Sequence, residues 1–381
     1  MSRSERPFKR AMNAASLETS VTDKSRSSET FYGIQALRAV AALLVVLEHS
    51  IYLWLARVAH TPEAKFWMNG VTGVDIFFVI SGFVMTLSLP GLTRHRHPVR
   101  VFLRRRVSRI VPLYWLATTS KILLVLAVPA LALHQTLTFP NIVGSYLFVP
   151  VLNGENVLVP VIVVGWTLNF EMFFYLIFSL TMLFRRNMMT VLVPALSGIA
   201  TLGIFANPSW LPIFTLASPL LFEFLFGVGV AQLSMARRLP SRVASLCLVV
   251  IGFLIILACF PQVATDLQLG KFRFLLWGLP ASAVVLGMVG LERTVHDFIP
   301  RWLLSLGNAS YAIYLVQTFV LPLVGVIVIK LHLFGMPALA VCIVGGLLFS
   351  SLSGELAHRY VEVPILARLK GKQQRGAGFV N

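Results

Sequence analysis

Residues 34–55 read IQALRAVAALLVVLEHSIYLWL. As a helix these 22 residues are about 33 Å long, enough to cross the ~30 Å hydrocarbon core of a bilayer. Arg38, Glu48 and His49 are the only basic, acidic or histidine residues in it. A soluble helix would show one polar face, and this stretch has none. Similar stretches recur along the chain, at roughly 70–90, 110–131, 165–184, 189–206, 212–234, 243–260, 272–291, 309–330 and 336–358. The composition agrees: 57% of residues are hydrophobic and 12% charged, against about 25% charged in soluble domains. The expected fold is therefore all-α, a polytopic integral membrane protein with about ten transmembrane helices.

The net charge of +17 does not point to nucleic acid, because the basic residues lie in the connections and not on one face. They follow the positive-inside rule. With a cytoplasmic N-terminus, inner connections hold 25 of the 32 Lys and Arg residues, and outer connections hold Arg57, Lys65, Lys271, Arg273 and Lys330. Both termini are then cytoplasmic. Residues 1–30, rich in Ser, Thr, Arg and Glu, read as a flexible cytoplasmic tail, 31–366 as the ten-helix domain and 367–381 as a basic cytoplasmic tail. The outer connection 132–164 has no Lys or Arg and carries Pro140, Pro150 and Pro160. Cys247, Cys259 and Cys342 fall in apolar segments without metal-ligand spacing and read as packing residues, and the isolated histidines suggest no metal site.

Ionisable groups inside a bilayer are costly and mark function by default. His49 follows Arg38 by eleven residues, which returns to nearly the same helix face about 16 Å away. Asp75 and Glu171 enter their helices five or six residues from the outer boundary, so the sequence places His49, Asp75 and Glu171 at one depth. An imidazole beside a carboxylate suits general-base catalysis on a hydroxyl. At the other side, FLRRRVSRIVPLYW (102–115) sets Arg106 and Arg109 three residues apart at a helix entry. That pair suits donor phosphates, and it equally suits anionic lipid headgroups. Glu48, Lys121, Glu223 and Glu355 read as structural charges that pair within the bundle, and Tyr311, Tyr314 and Gln317 give the ninth span a polar stripe.

In order along the chain, GIQALRAVAALLVVLEHS with its Arg-x10-His pair, GVDIFFVISGF (73–83), Arg106-x-x-Arg109 followed by Pro112, Tyr114 and Trp115, WTLNFEMFFYL (166–176), SYAIYL (310–315) and YVEVP (360–364) resemble the acyltransferase 3 family of bacterial membrane proteins. The resemblance implies an acetyl-CoA-type donor bound from the cytoplasm near Arg38, Arg106 and Arg109, and no tightly bound cofactor. It implies an acceptor hydroxyl on an exopolysaccharide or other surface glycan, possible contacts to substrate from Tyr114, Trp115, Trp166, Tyr311 and Gln317, and a place in the bacterial inner membrane. His49 then either takes the acyl group or deprotonates the acceptor, with Glu171 orienting it and Asp75 nearby. The chain departs from the family pattern at Met172, where a second acidic residue is common, and at Gln317, where His is common. No esterase-like domain follows the last span, which reads as a stand-alone enzyme. A proton-coupled carrier is the competing reading, since carriers also use intramembrane His, Asp and Glu, although neither internal repeats nor paired broken spans are visible.

Overall fold

Every apolar stretch read from the sequence becomes a helix. A computed structural model describes residues 31–61, 69–128, 137–205, 212–258 and 271–369; the 1–30 tail, the end of the C-terminal tail, Lys65 and Cys259 lie outside them. The helices are α1 (Tyr32–Arg57), α2 (Thr72–Leu92), α3 (Pro98–Ala127), α4 (Phe139–Leu147), α5 (Trp166–Thr181), α6 (Met188–Ile204), α7 (Leu221–Met235), α8 (Arg242–Leu257), α9 (Leu279–Val295), α10 (Arg301–Lys330) and α11 (Gly335–Ala357). One π-helical turn, Phe274–Gly278, leads into α9, and another, His358–Glu362, follows α11. Seven of these helical segments are long and apolar enough to cross a membrane, whereas α6, α7 and α8 are shorter apolar helices of 17, 15 and 16 residues.

The addition to the sequence reading is α4, which lies within the long connection 132–164. Thr138 caps its first turn, accepting from the Asn141 N–H at 3.3 Å, and Phe148 ends it in the left-handed region at φ 58°. After α4 the chain does not stay at the surface. Val161, Ile162 and Val164 are buried, so α5 starts inside the bundle.

The apolar surface is inverted relative to a soluble protein. On α8, Val243, Leu246, Val250, Ile251 and Leu254 are exposed at helical spacing, while Ser245 and Gly252 face inward. That outward row needs hydrocarbon as its solvent, which makes this a polytopic membrane protein.

Inside, association relies on close packing because lipid is as apolar as leucine. α1 and α10 run parallel at a constant offset: Gly307 lies on the Gln35 backbone, Arg38 reaches Ser310, and Gly325 meets Leu53. Stacked rings of Phe78, Phe174 and Phe224, with centroids 4.3–4.7 Å apart, join α2, α5 and α7. The start of α1 is capped from α9, where the Glu292 carboxylate accepts from the N–H groups of Tyr32 (2.6 Å) and Gly33 (2.9 Å). That satisfies donors which a helix start otherwise leaves without partners.

The backbones of α2 and α7 approach each other closely. A methyl group on Gly82 would meet the Phe224 carbonyl, and one on Gly227 would meet the Val79 carbonyl. Gly229, two residues along the same helix, faces open space. Gly227→Ala is expected to destabilise the protein by about 1–3 kcal/mol through overpacking. Gly229→Ala should be neutral, or stabilising by up to about 1 kcal/mol through helix propensity. Thermal unfolding of the two variants in one detergent checks this, and equal Tm values would overturn the packing argument.

Candidate active site

Two polar centres lie along α1. The first surrounds Arg38, whose guanidinium donates to Ser310 Oγ from Nη2 at 3.0 Å and from Nε at 3.3 Å. It opens into a cavity of about 110 Å³ lined by Arg38, Arg106, Arg109, Glu171, Tyr175 and Tyr311, among others. Arg106 and Arg109 enter it from one face of α3, as their i, i+3 spacing requires. The Arg106 guanidinium lies over the rings of Phe102 and Tyr175, 5.9 and 5.8 Å from their centroids.

Glu171 faces these arginines. Its Oε1 accepts from Ser81 Oγ and from Tyr175 OH, each at 2.5 Å. Tyr311 ties α10 to α3 by donating to the Ile110 carbonyl at 2.7 Å. Tyr314 donates to the Val164 carbonyl at 2.8 Å and sits 2.9 Å from Thr167 Oγ1, which fixes the start of α5 at mid-bundle. Glu362, from the turn after α11, lies within electrostatic reach of Arg38 and pairs with His358 Nδ1 at 2.7 Å. Three guanidinium groups facing one lining carboxylate leave the cavity cationic, suited to a polyphosphate anion.

The second centre surrounds His49, eleven residues further along α1. Its Nδ1 lies 2.8 Å from the Val45 carbonyl and 2.8 Å from Glu48 Oε2. The Val45 carbonyl can only accept, so the hydrogen sits on Nδ1 and Nε2 keeps its lone pair, with the Glu48 carboxylate beside the ring as a charge. About one third of the side chain is accessible (35%), while Glu48 is buried. A neutral imidazole held in this way can accept a proton or an acyl group at Nε2.

The level at which Glu171 sits requires a correction. The sequence placed His49, Asp75 and Glu171 at one depth, but Glu171 binds Ser81, six residues beyond Asp75 on α2 and about 9 Å along its axis. The reason is the buried lead-in to α5, which starts that helix below the boundary assumed from hydropathy. Glu171 therefore belongs with the arginines and does not orient His49.

Asp75 is fully buried and held by Arg273 in a two-point ion pair, Nε–Oδ1 2.9 Å and Nη2–Oδ2 2.7 Å. Arg273, counted among the outer basic residues, is turned into the bundle at the entry to the π-helical turn, with Trp277 under its guanidinium at 5.2 Å. Of the remaining charges, Glu355 accepts from Ser305 and Arg359, and Lys121 and Glu223 are buried.

The aromatic candidates disperse. Trp115 donates its indole N–H to the Tyr146 carbonyl at 2.9 Å, fastening α4 to α3. Tyr114 is buried against Phe148, at 4.8 Å between centroids. Trp166 lines a second cavity of about 140 Å³ on the opposite face of α5, with Asn169 and Phe170. Gln317 is buried, donates to the Tyr314 carbonyl at 3.0 Å, and leaves its Oε1 without a partner among the described residues. Ser81, Ser310, Tyr175 and Arg273 escaped the sequence reading. Serines and tyrosines in apolar helices are too common to signal a site, and Arg273 sat where a loop was expected.

With this geometry in hand, the chain can be set beside known proteins. A curated relative, the exopolysaccharide production protein ExoZ of Rhizobium meliloti (strain 1021), is 32% identical over 312 residues, covering 80% of this chain and 92% of the relative. No solved structure matches significantly. The family model described as "Acyltransferase domain" matches residues 31–354, from the start of α1 almost to the end of α11, and on that match the chain belongs to the acyltransferase 3 family.

Proposed function

We propose that this enzyme transfers an acyl group, most simply acetyl, from acyl-CoA on the cytoplasmic side of the bacterial inner membrane to a hydroxyl of an exopolysaccharide. Family membership decides for an acyltransferase over a carrier, and ExoZ is an exopolysaccharide production protein. The observation that carries the reading is the polarity of α1: an arginine cavity at one end and, eleven residues on, an imidazole with a free Nε2.

The proposed topology has ten spans with both termini cytoplasmic, counting α6, α7 and α8 as short spans and α4 as part of an outer connection. The Arg38 end of the bundle then faces the cytoplasm. Arg38, Arg106 and Arg109 hold the donor's phosphates, and Glu171, through Tyr175 and Ser81, keeps the arginines apart and oriented. The pantetheine arm runs toward His49 past Phe77, which packs on Ala42 and Val46 between the two centres. Two chemistries use His49 Nε2. In one it attacks the thioester carbonyl, the C–S bond breaks and CoA thiol leaves, and the acceptor oxygen then displaces the imidazole. In the other it takes the acceptor's proton as that oxygen forms the new C–O bond and thiolate departs. The Asp75–Arg273 pair anchors the helices around this centre. Tyr311 and Gln317 line the path on α10, and Trp166, with the connection after α4, faces the acceptor side.

The decisive comparison is the O-acyl content of secreted polysaccharide, read by NMR in a gene deletion complemented with the wild type or with His49→Ala. Restoration by wild type and not by a stably expressed His49→Ala protein is the expected result. Equal restoration by both would refute the site, and an unchanged glycan in the deletion strain would refute the acceptor.

The donor site has its own test. Arg106→Gln with Arg109→Gln removes charge-assisted hydrogen bonds worth about 1.5–3 kcal/mol each, so KM for acetyl-CoA should rise at least about tenfold with a smaller change in kcat. The double variant should also discriminate less between acetyl-CoA and its analogue lacking the 3′-phosphate. An unchanged KM would remove the arginines from donor binding.

A further inference from the structure

The mechanism above leaves one buried acid beside its reacting group. Glu48 precedes His49 on α1, is only 5% exposed, and brings Oε2 within 2.8 Å of His49 Nδ1. The Nδ1–H is aligned on the Val45 carbonyl, so the carboxylate meets the ring from the side as a charge and not as the aligned acceptor, and Oε2 has no hydrogen-bond donor of its own. Seating a carboxyl group there has a cost in a chain with 15 acidic residues, and hydrocarbon offers it no solvation.

The surroundings leave Glu48 available to the imidazole. Arg273 is within electrostatic reach of it, yet the guanidinium is already committed to both oxygens of Asp75 and, at 3.4 Å, to the Val71 carbonyl. Glu223, fully buried, stands beside the same pair. Glu48, Asp75 and Glu223 thus gather around one arginine. With Arg273 taken up by Asp75, the Glu48 carboxylate next to His49 stands against the three guanidinium groups of the cavity around Arg38.

We propose that Glu48 is the positioning residue of His49: its carboxylate fixes the ring from the Nδ1 side and stabilises the positive charge that develops on the imidazole during acyl transfer. The proposal rests on His49 acting through Nε2 and holds for either chemistry, since an imidazole that takes a proton and one that takes an acyl group both become cationic. Val45 sets the tautomer, and Glu48 supplies the charge. Because the contact forms its full energy only as charge develops, its loss should appear in kcat and not in donor binding.

The test measures free thiol released from acetyl-CoA by the purified protein in proteoliposomes, with polysaccharide freed of O-acyl groups by mild alkali as acceptor. Glu48→Gln keeps the shape and removes the charge. It should lower kcat about 10- to 100-fold, as loss of charge stabilisation at a general base does, with KM for acetyl-CoA changed less than about threefold. Glu48→Asp keeps the charge and withdraws it by one methylene, and should fall between Glu48→Gln and wild type. Wild-type kcat in Glu48→Gln, with His49→Ala inactive, overturns the proposal and leaves His49 in place. Activity in His49→Ala overturns the reading beneath it. Should Glu48→Gln fail to fold, Glu48→Asp decides, and an unchanged kcat there overturns the proposal.

Discussion

A charge that leaves water for a helix bundle must find its partner within the protein, and this constraint arranges most of the molecule. The two-point pairing of Asp75 with Arg273 joins the start of α2 to the π-helical turn before α9, residues 198 positions apart in the chain. Glu171 is held by Ser81 and Tyr175, Arg38 by Ser310, and Glu292 by the opening N–H groups of α1. Each of these contacts links different helices or locks a side chain that does. In water such pairs contribute little. Here the alternative is an unsolvated ion, so each pairing narrows the helix arrangements the chain can adopt. Polar contacts specify which helices meet, and glycines let them meet closely.

The all-helical membrane fold and the main helix positions were legible because hydropathy responds to the same bilayer that stabilises the spans. Arg38, Arg106, Arg109, Glu171 and Tyr311 converge on one cavity; sequence spacing had placed Arg106 and Arg109 on one helix face, and the family resemblance had added Arg38. What the sequence hid follows from single-helix reasoning. Glu171 was assigned a depth by counting from an apolar boundary, but the buried Val161–Val164 lead-in shifts α5 along the bundle axis. Arg273 looked like a loop cation because its partner, Asp75, is remote in sequence. Trp115 resembled a substrate contact by motif and turned out to fasten α4. Such fastening cannot be read while 132–164 is seen only as a proline-bearing connection without Lys or Arg.

Glu48 is a different case. Its position inside a span was visible, and an intramembrane acid adjacent to a histidine is an unusual pairing. A helix, however, places residues i and i+1 about 100° apart, which argues against contact. The contact forms because the His49 ring folds back along α1 toward the Val45 carbonyl, one turn earlier, as long helical side chains do. That movement carries Nδ1 to the side where Glu48 reaches it. A rule based on helical spacing alone would have rejected a pair that side-chain direction permits.

The two centres on α1 have opposite local charge, and this bears on how a reaction could run across a membrane without leaking its donor. On the proposed function, a nucleotide diphosphate would be held where Arg38, Arg106 and Arg109 converge. It would be disfavoured beside the Glu48 carboxylate at His49, about 16 Å away. The uncharged arm of such a donor would meet neither attraction nor repulsion on its way past Phe77, which packs against the cluster of Ala42, Val46, Ala309 and Ile313. The same field that stops the phosphates favours an imidazole that becomes cationic as it works. On that proposal one distribution of charge would retain the donor's head, let its acyl end advance, and stabilise the cationic imidazole where that end arrives, so that sidedness and catalysis would rest on a common electrostatic cause.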